Sequence, residues 1–269
     1  MRMAFISGNM QKVMERFSRI HRLLGDKRFH RLQNRRVTVV GLGAVGGYVV
    51  EGLARAGIKT LRLIDYDTIQ PTNINRQILA VESTLGRLKA DAARERVLQI
   101  NPCCNVEALP IFAGDETLDE ILNPRPDLLI DAIDSLNPKV QLLAGAYERR
   151  IPTLASMGAA LRTDPTRIRL ADIFDTDNCP LARFVRKRLR RRNIGRGIRC
   201  VFSDEKVDFD YAQANEEQQV GETPYAERGR ERNVLGSLPT VTGIFGLILA
   251  NEAIMQLSSE AGPLFHGEE

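Results

Sequence analysis

Residues 37–47 read VTVVGLGAVGG. A β-branched apolar run stops at a glycine, and Gly41, Gly43 and Gly46 then follow in the spacing G-x-G-x-x-G. β-branched residues suit strands. The next stretch, YVVEGLARAG at 48–57, repeats apolar residues at helical spacing (Val49, Leu53, Ala56) and stops at Gly57. Strand, glycine turn and helix in that order open a nucleotide-binding βαβ unit. Glycine lets the backbone approach a phosphate, and the helix N-terminus offers amide N–H groups and the positive end of its dipole. Working outward, TLRLI at 60–64 predicts a second strand that ends in Asp65, nineteen residues beyond Gly46. An acid there accepts hydrogen bonds from ribose hydroxyls. A tight turn without a ligand would need the glycines but not that acid.

Further along, 86–99 predicts a helix with Leu88, Ala92 and Val97 on one stripe, and 106–109 a third strand. DLLIDA at 127–132 predicts a fourth strand, 138–149 a helix and PTLA at 152–155 a fifth strand. Strands alternating with helices require right-handed crossovers and a mostly parallel sheet. RIRLAD at 167–172 and RCVFS at 199–203 alternate like antiparallel strands. The fold class expected is α/β: a doubly wound, mostly parallel Rossmann-like sheet with an antiparallel C-terminal extension. The expected organisation is an N-terminal helical segment at 1–36, a nucleotide-binding half at 37–160, and a half at 161–269 that continues the same domain. The polar stretch 204–233 carries little pattern and is expected as a mobile loop.

Composition bounds these readings. A chain of 269 residues buries roughly three quarters of its unfolded surface. With 43% hydrophobic and 27% charged residues it is neither disordered nor collagenous. Four cysteines, at 103, 104, 179 and 200, form no C-x-x-C pair, so neither a zinc ribbon nor a thioredoxin-type motif is encoded. A reducing, cytoplasmic setting fits that usage. No secretory signal opens the chain. The apolar run 238–250 is broken by Thr and Gly and falls short of the roughly 20 residues that a span requires, so it is read as a buried core helix with no membrane partner.

A dinucleotide oxidoreductase shares the glycine turn, but three further features favour cleavage of ATP at its α-phosphorus. PTNINRQ at 71–77 places Asn73, Arg76 and Gln77 beyond the second strand. GRLKAD at 86–91 places Lys89 on the first turns of a helix, and DAIDS at 131–135 places Asp131 and Asp134 at the end of the fourth strand. Two cations and two acids gather on the edge where open α/β sheets bind ligands. They provide polyphosphate clamps and a magnesium carboxylate. Each residue alone is commonplace, since a lone cation is usually solvated and a lone Asp often caps a helix.

With these residues in order, GLGAVGG, IDYDTIQPTNINRQ, GRLKA and DAIDS resemble the ThiF/MoeB/HesA family, prokaryotic relatives of ubiquitin-activating enzymes. The resemblance implies adenylation, in which a carboxylate attacks Mg-ATP, releases pyrophosphate and becomes an acyl-AMP. It implies that Gly41, Ala44, Val45, Gly43 and Gly46 line the ATP site, with Asp65 on the ribose. Asn73, Arg76, Gln77 and Lys89 would hold phosphates, and Asp131 and Ser135 would complete the nucleotide site. Asp134 would bind magnesium and Asp67 would touch the nucleotide or its metal. Arg76, Lys89, Asp134 and Arg19 would carry catalysis. RFSRIHRLLG resembles the segment that sends an arginine to the partner subunit's site in a homodimer, Arg19 by position, with Arg16 and Arg22 as competitors. The alternative for that segment is a basic helix packed on its own domain.

Members that activate ubiquitin-like sulfur carriers usually hold zinc with two C-x-x-C pairs. This chain has none, and its His residues (21, 30, 266) are scattered, so no zinc is expected. QINP at 99–102, DAIDSLNPK, IPTLASMGAALRTDPTRIRLADI, RCVFSDE and TVTGIFG resemble instead the branch that dehydrates threonylcarbamoyladenosine in tRNA. That branch adenylates the threonyl carboxylate and cyclises it, releasing AMP and pyrophosphate. The alternative is activation of a sulfur carrier, with a cysteine desulfurase system or a sulfur acceptor protein as a further partner. Nine Arg or Lys fall within 183–199, and Arg186, Lys187, Arg188, Arg190, Arg191 and Arg192 are the RNA-binding candidates. A solvated helix face is the alternative for them. Cys200 is read as a buried, inert thiol more readily than as a nucleophile.

Overall fold

A computed structural model describes residues 15–207 and 235–265. Part of the N-terminal segment and residues 208–233 of the expected polar loop lie outside the described residues, as do residue 234 and His266. The chain begins with α1 (Ser18–Gln33), kinked at Gly25, then β1 (Arg36–Val40), α2 (Gly46–Ala56) and β2 (Thr60–Ile64). There follow α3 (Lys89–Ile100), β3 (Asn105–Leu109), α4 (Leu118–Leu122), β4 (Leu128–Asp131), α5 (Leu136–Glu148) and β5 (Thr153–Ser156). The last elements are β6 (Ile168–Asp172), α6 (Pro180–Arg190), β7 (Arg199–Ser203) and α7 (Pro239–Ser258).

All seven strands form one sheet in the order β3-β2-β1-β4-β5-β7-β6. The expected α/β class with an antiparallel C-terminal extension is what the structure has. The detail differs at 199–203. β7 lies parallel to β5 and antiparallel only to β6, so it extends the parallel sheet and β6 alone runs against it. The step in chain order from β1 back across to β4 opens the crevice at the carboxyl ends of β1, β2 and β4.

Alternation along the strands assigns the two faces. Val37, Val39, Leu61, Leu63, Leu128 and Ile130 face α1, α2, α3 and α7. Val40, Ile64 and Leu129 face α4 and α5. Full burial of such side chains stabilises by about 1.5–3 kcal/mol each before entropy is counted. The expected helix at 86–99 begins only at Lys89, because Leu88 is extended and bridged to Thr68 while Gly86 adopts a left-handed φ of +76°. The apolar run at 238–250 is helical as expected and continues to Ser258. This helix is long and apolar enough to cross a membrane, but Val241, Phe245, Leu249, Ala253 and Leu257 are buried in the core.

Candidate active site

The site starts where β1 ends. Gly41 takes φ +87°, and its amide donates to the carbonyl of Ile64 at 2.8 Å, holding the turn against the end of β2. A side chain at Gly41 would meet the Ala132 backbone at 2.8 Å, and one at Gly46 would stand 1.8 Å from the Gly41 carbonyl oxygen. Only glycine fits either place. No side chain caps the N-terminus of α2. Ala44 and Val45 lie half-buried within the turn.

Asp65 ties the turn to the loop after β2. Its Oδ2 accepts the Leu42 amide at 2.7 Å and its Oδ1 the Asp67 amide at 2.9 Å. Burial pushes its carboxyl up, against the pull of Lys89. Lys89, the first residue of α3, is buried, and its Nζ donates to Asp67 Oδ2 at 2.9 Å. Burial alone would pull its amine down, but Asp65, Asp67 and Asp134 push it above the usual lysine range, so it is charged at neutral pH. Lys89 is therefore a cation in the field of three carboxylates that arrive from two different loops. Gln77 is 7% exposed; its Nε2 lies beside Gly43 and its buried Oε1 has no hydrogen-bond partner.

Other candidates sit as follows. Asn73 Oδ1 accepts the Gln70 amide, so that side chain shapes the turn after β2. Arg76 is half-buried and donates to the Thr72 carbonyl and Asn75 Oδ1 at 2.9 and 2.8 Å. Asp134 is exposed at the crevice, and Ser135 Oγ donates to its Oδ1 at 3.3 Å. Asp131 differs from the expectation of a nucleotide contact: it is fully buried, paired with Lys139, and accepts the Ile133 amide. Lys139 closes the DAIDSLNPK stretch, but its pairing with Asp131 had no signal in the sequence, because an eight-residue separation across a loop and a helix start belongs to no period.

Among the three N-terminal arginines, Arg16 donates to the Ile100 carbonyl of its own chain. Arg19 and Arg22 are exposed and have no partner among the described residues. The basic candidates of α6 divide. Arg186 points inward, donating to the carbonyls of Ile173 and Thr176, and is no free surface cation. Arg188 donates to Asn137 Oδ1, in the first turn of α5 and three residues from Asp134. Arg190 lies over the Phe174 ring at 5.2 Å. Lys187, Arg191 and Arg192 are exposed without a partner among the described residues. Burial pushes the Cys200 thiol far up and the Cys104 thiol up to about 12, so both are inert at neutral pH. Cys103 is exposed.

Among the described residues no three His, Cys, Asp or Glu gather as a ready-made metal cage. Magnesium needs none, since it is held by one or two carboxylates together with substrate phosphates. An exposed Asp134 beside Lys89 suits that mode of binding.

Comparison with known proteins gives the family. The chain is 36% identical over 250 residues to tRNA threonylcarbamoyladenosine dehydratase of Bacillus subtilis, covering 91% of this chain and 95% of that protein. The solved structure of Escherichia coli tRNA N6-threonylcarbamoyladenosine dehydratase in complex with AMP is similar at a TM-score of 0.80 and 32% identity, covering 92% of this chain and 95% of that one. That enzyme has also been solved with ATP. Molybdopterin-synthase adenylyltransferase of Salmonella typhimurium is 33% identical over 133 residues, 49% of this chain and 52% of that protein. The model for the ThiF family matches residues 17–268, glycine turn, acidic loops and core helix α7 included, and the chain belongs to that family.

Proposed function

We propose that this protein uses ATP to adenylate the threonyl carboxylate of threonylcarbamoyladenosine in tRNA and then cyclises it with loss of water. The carboxylate attacks the α-phosphorus, pyrophosphate leaves, and the neighbouring carbamoyl group displaces AMP with loss of its proton. The observation that carries the reading is the buried, charged Lys89 paired with Asp67, with Asp65 and Asp134 in its field. Such a cation, preorganised and largely dry, stabilises charge that grows on the phosphates during attack. Gln77 Oε1, buried without a partner, and the uncapped N-terminus of α2 supply further polar groups at the glycine turn. Gly41 and Gly46 let the backbone approach, Asp65 faces the ribose, and Arg76 would turn from Thr72 and Asn75 to a phosphate.

Magnesium, when bound, neutralises phosphate charge, and Asp134, with Asp67 nearby, would hold it. The active unit is a homodimer in which Arg19, or Arg22 beside it, reaches the partner subunit's nucleotide; their exposure supports this. The tRNA lies along α6. Arg188 joins that basic helix to Asn137 in the first turn of α5, the helix that follows the Asp134 loop. The alternative, activation of a sulfur-carrier protein, draws on a similarity confined to about half of the chain, whereas similarity to the Bacillus subtilis tRNA enzyme covers 91% of it.

The test is mass spectrometry of tRNA nucleosides after incubation with protein and Mg-ATP. The threonylcarbamoyl nucleoside should lose one water. An unchanged profile, with AMP formed only when a carrier protein ending in Gly-Gly is added, would favour the alternative. Asp134→Ala should reduce AMP release by two orders of magnitude or more, on the scale of about 10²–10³ for loss of one preorganised electrostatic group. Undiminished turnover refutes the metal assignment.

A further inference from the structure

Asp131, the last residue of β4, and Lys139, in the first half of α5, are both 0% exposed. Lys139 Nζ donates to Asp131 Oδ2 and, at 2.9 Å, to the carbonyl of Ser156, the last residue of β5. Asp131 Oδ1 accepts the Ile133 amide at 3.0 Å. The Lys139 amide donates to the Ser135 carbonyl at 3.2 Å. One ion pair therefore joins the ends of β4 and β5 to the start of α5. Its carboxylate grips the intervening loop through Ile133, just before Asp134, while the Lys139 backbone amide closes the first turn of α5 onto Ser135, just after it.

Stability is a weak reason for such a pair. Fully buried ion pairs can often be replaced by apolar residues at no loss, because desolvation offsets the attraction. What the pair fixes here is the start of the loop that carries the exposed Asp134. It also neutralises Asp131, whose charge would otherwise act on Asp134 from within the same loop. We infer that Asp131 and Lys139 are positioning residues that hold the Asp134 loop in the geometry needed for the metal–phosphate end of the nucleotide. Neither touches substrate. The inference rests on the assignment of Asp134 made above.

The experiment compares the wild-type protein with Asp131→Asn, Lys139→Met and the double variant. Calorimetry gives the affinity for AMP and for the magnesium complex of a non-hydrolysable ATP analogue. Hydrogen exchange follows the Ile133 amide in the ligand-free protein. Loss of groups that orient a metal ligand typically costs about 10–100-fold in metal affinity. The magnesium–analogue affinity should fall by that factor, the AMP affinity should hold, and Ile133 exchange should accelerate. If a single variant fails to fold, the double variant, which leaves no unpaired buried charge, carries the same expectation. Folded variants with wild-type magnesium–analogue affinity overturn the inference, as does an AMP affinity that falls in step. A wild-type protein that binds the analogue without regard to magnesium would instead remove the reading of Asp134 itself.

Discussion

A methyl group on Gly46 would stand 1.8 Å from the Gly41 carbonyl oxygen, a backbone atom that no rotamer change can move. Gly46→Ala must therefore open the turn that carries the nucleotide. Forcing extra atoms into a packed site costs typically about 1–3 kcal/mol. We expect the melting temperature to fall with it, and the affinity for an ATP analogue by calorimetry to fall at least tenfold. Wild-type affinity in a folded Gly46→Ala protein would mean that the turn does not cradle phosphate. Gly41, Gly46 and Asp65 were legible at this scale because each stands at a fixed offset from a strand end, and Lys89 because GRLKAD opens a helix. Lys139 and the inward Arg186 were not, since their partners come from other elements: Asp131 and Ser156 for the one, Ile173 and Thr176 for the other.

Between elements, the same limit recurs. Strand alternation told which residues point apart, but not that α2 and α3 are joined by Glu51. That buried carboxylate accepts from Arg96 at 2.9 Å across the helix pair and from Arg55 on its own helix. Burial pushes the Glu51 carboxyl up, yet the two guanidinium groups more than offset this and hold it below its ordinary 4.5. A carboxylate so lowered adds stability that is complete above the unfolded value and is lost as pH falls through the folded one. Glu51→Gln should cost about 1.5–3 kcal/mol at pH 7, the range for hydrogen bonds to charged groups. In urea unfolding the deficit should shrink once the pH falls below 4.5, and a deficit independent of pH would assign it to packing instead. The basic run at 183–199 was legible as charge but not as an amphipathic helix, whose stripe of Ala182, Val185 and Leu189 is buried. Its outward cations are fewer than the sequence suggests. Reversing Lys187, Arg191 and Arg192 to Glu should weaken tRNA binding and flatten the slope of log affinity against log salt by about 2–3, at roughly 0.7–0.9 per phosphate contact. An unchanged slope would move the RNA to another face.

At the scale of the whole molecule, the helix from the chain's far end braces the turn near its beginning. A side chain on Gly246 of α7 would meet the Val45 carbonyl at 2.4 Å and the Tyr48 Cβ at 2.7 Å, and one on Gly52 of α2 would meet Ala250 at 2.7 Å. The two helices cross with backbone nearly against backbone, and Val45 is part of the glycine turn. The apolar stretch 238–250 reads as a core helix from its composition, but which helix it meets depends on how the sheet stacks its layers, and no local pattern carries that. If α7 sets the position of the turn, Gly246→Ala should lower the melting temperature and the ATP-analogue affinity together. Leu247→Ala, one residue along and 49% exposed, should change neither, which separates contact with the turn from helix content. A Gly246→Ala protein that melts early yet binds the analogue as tightly as wild type would show that the turn holds its shape through Asp65 and β2 alone.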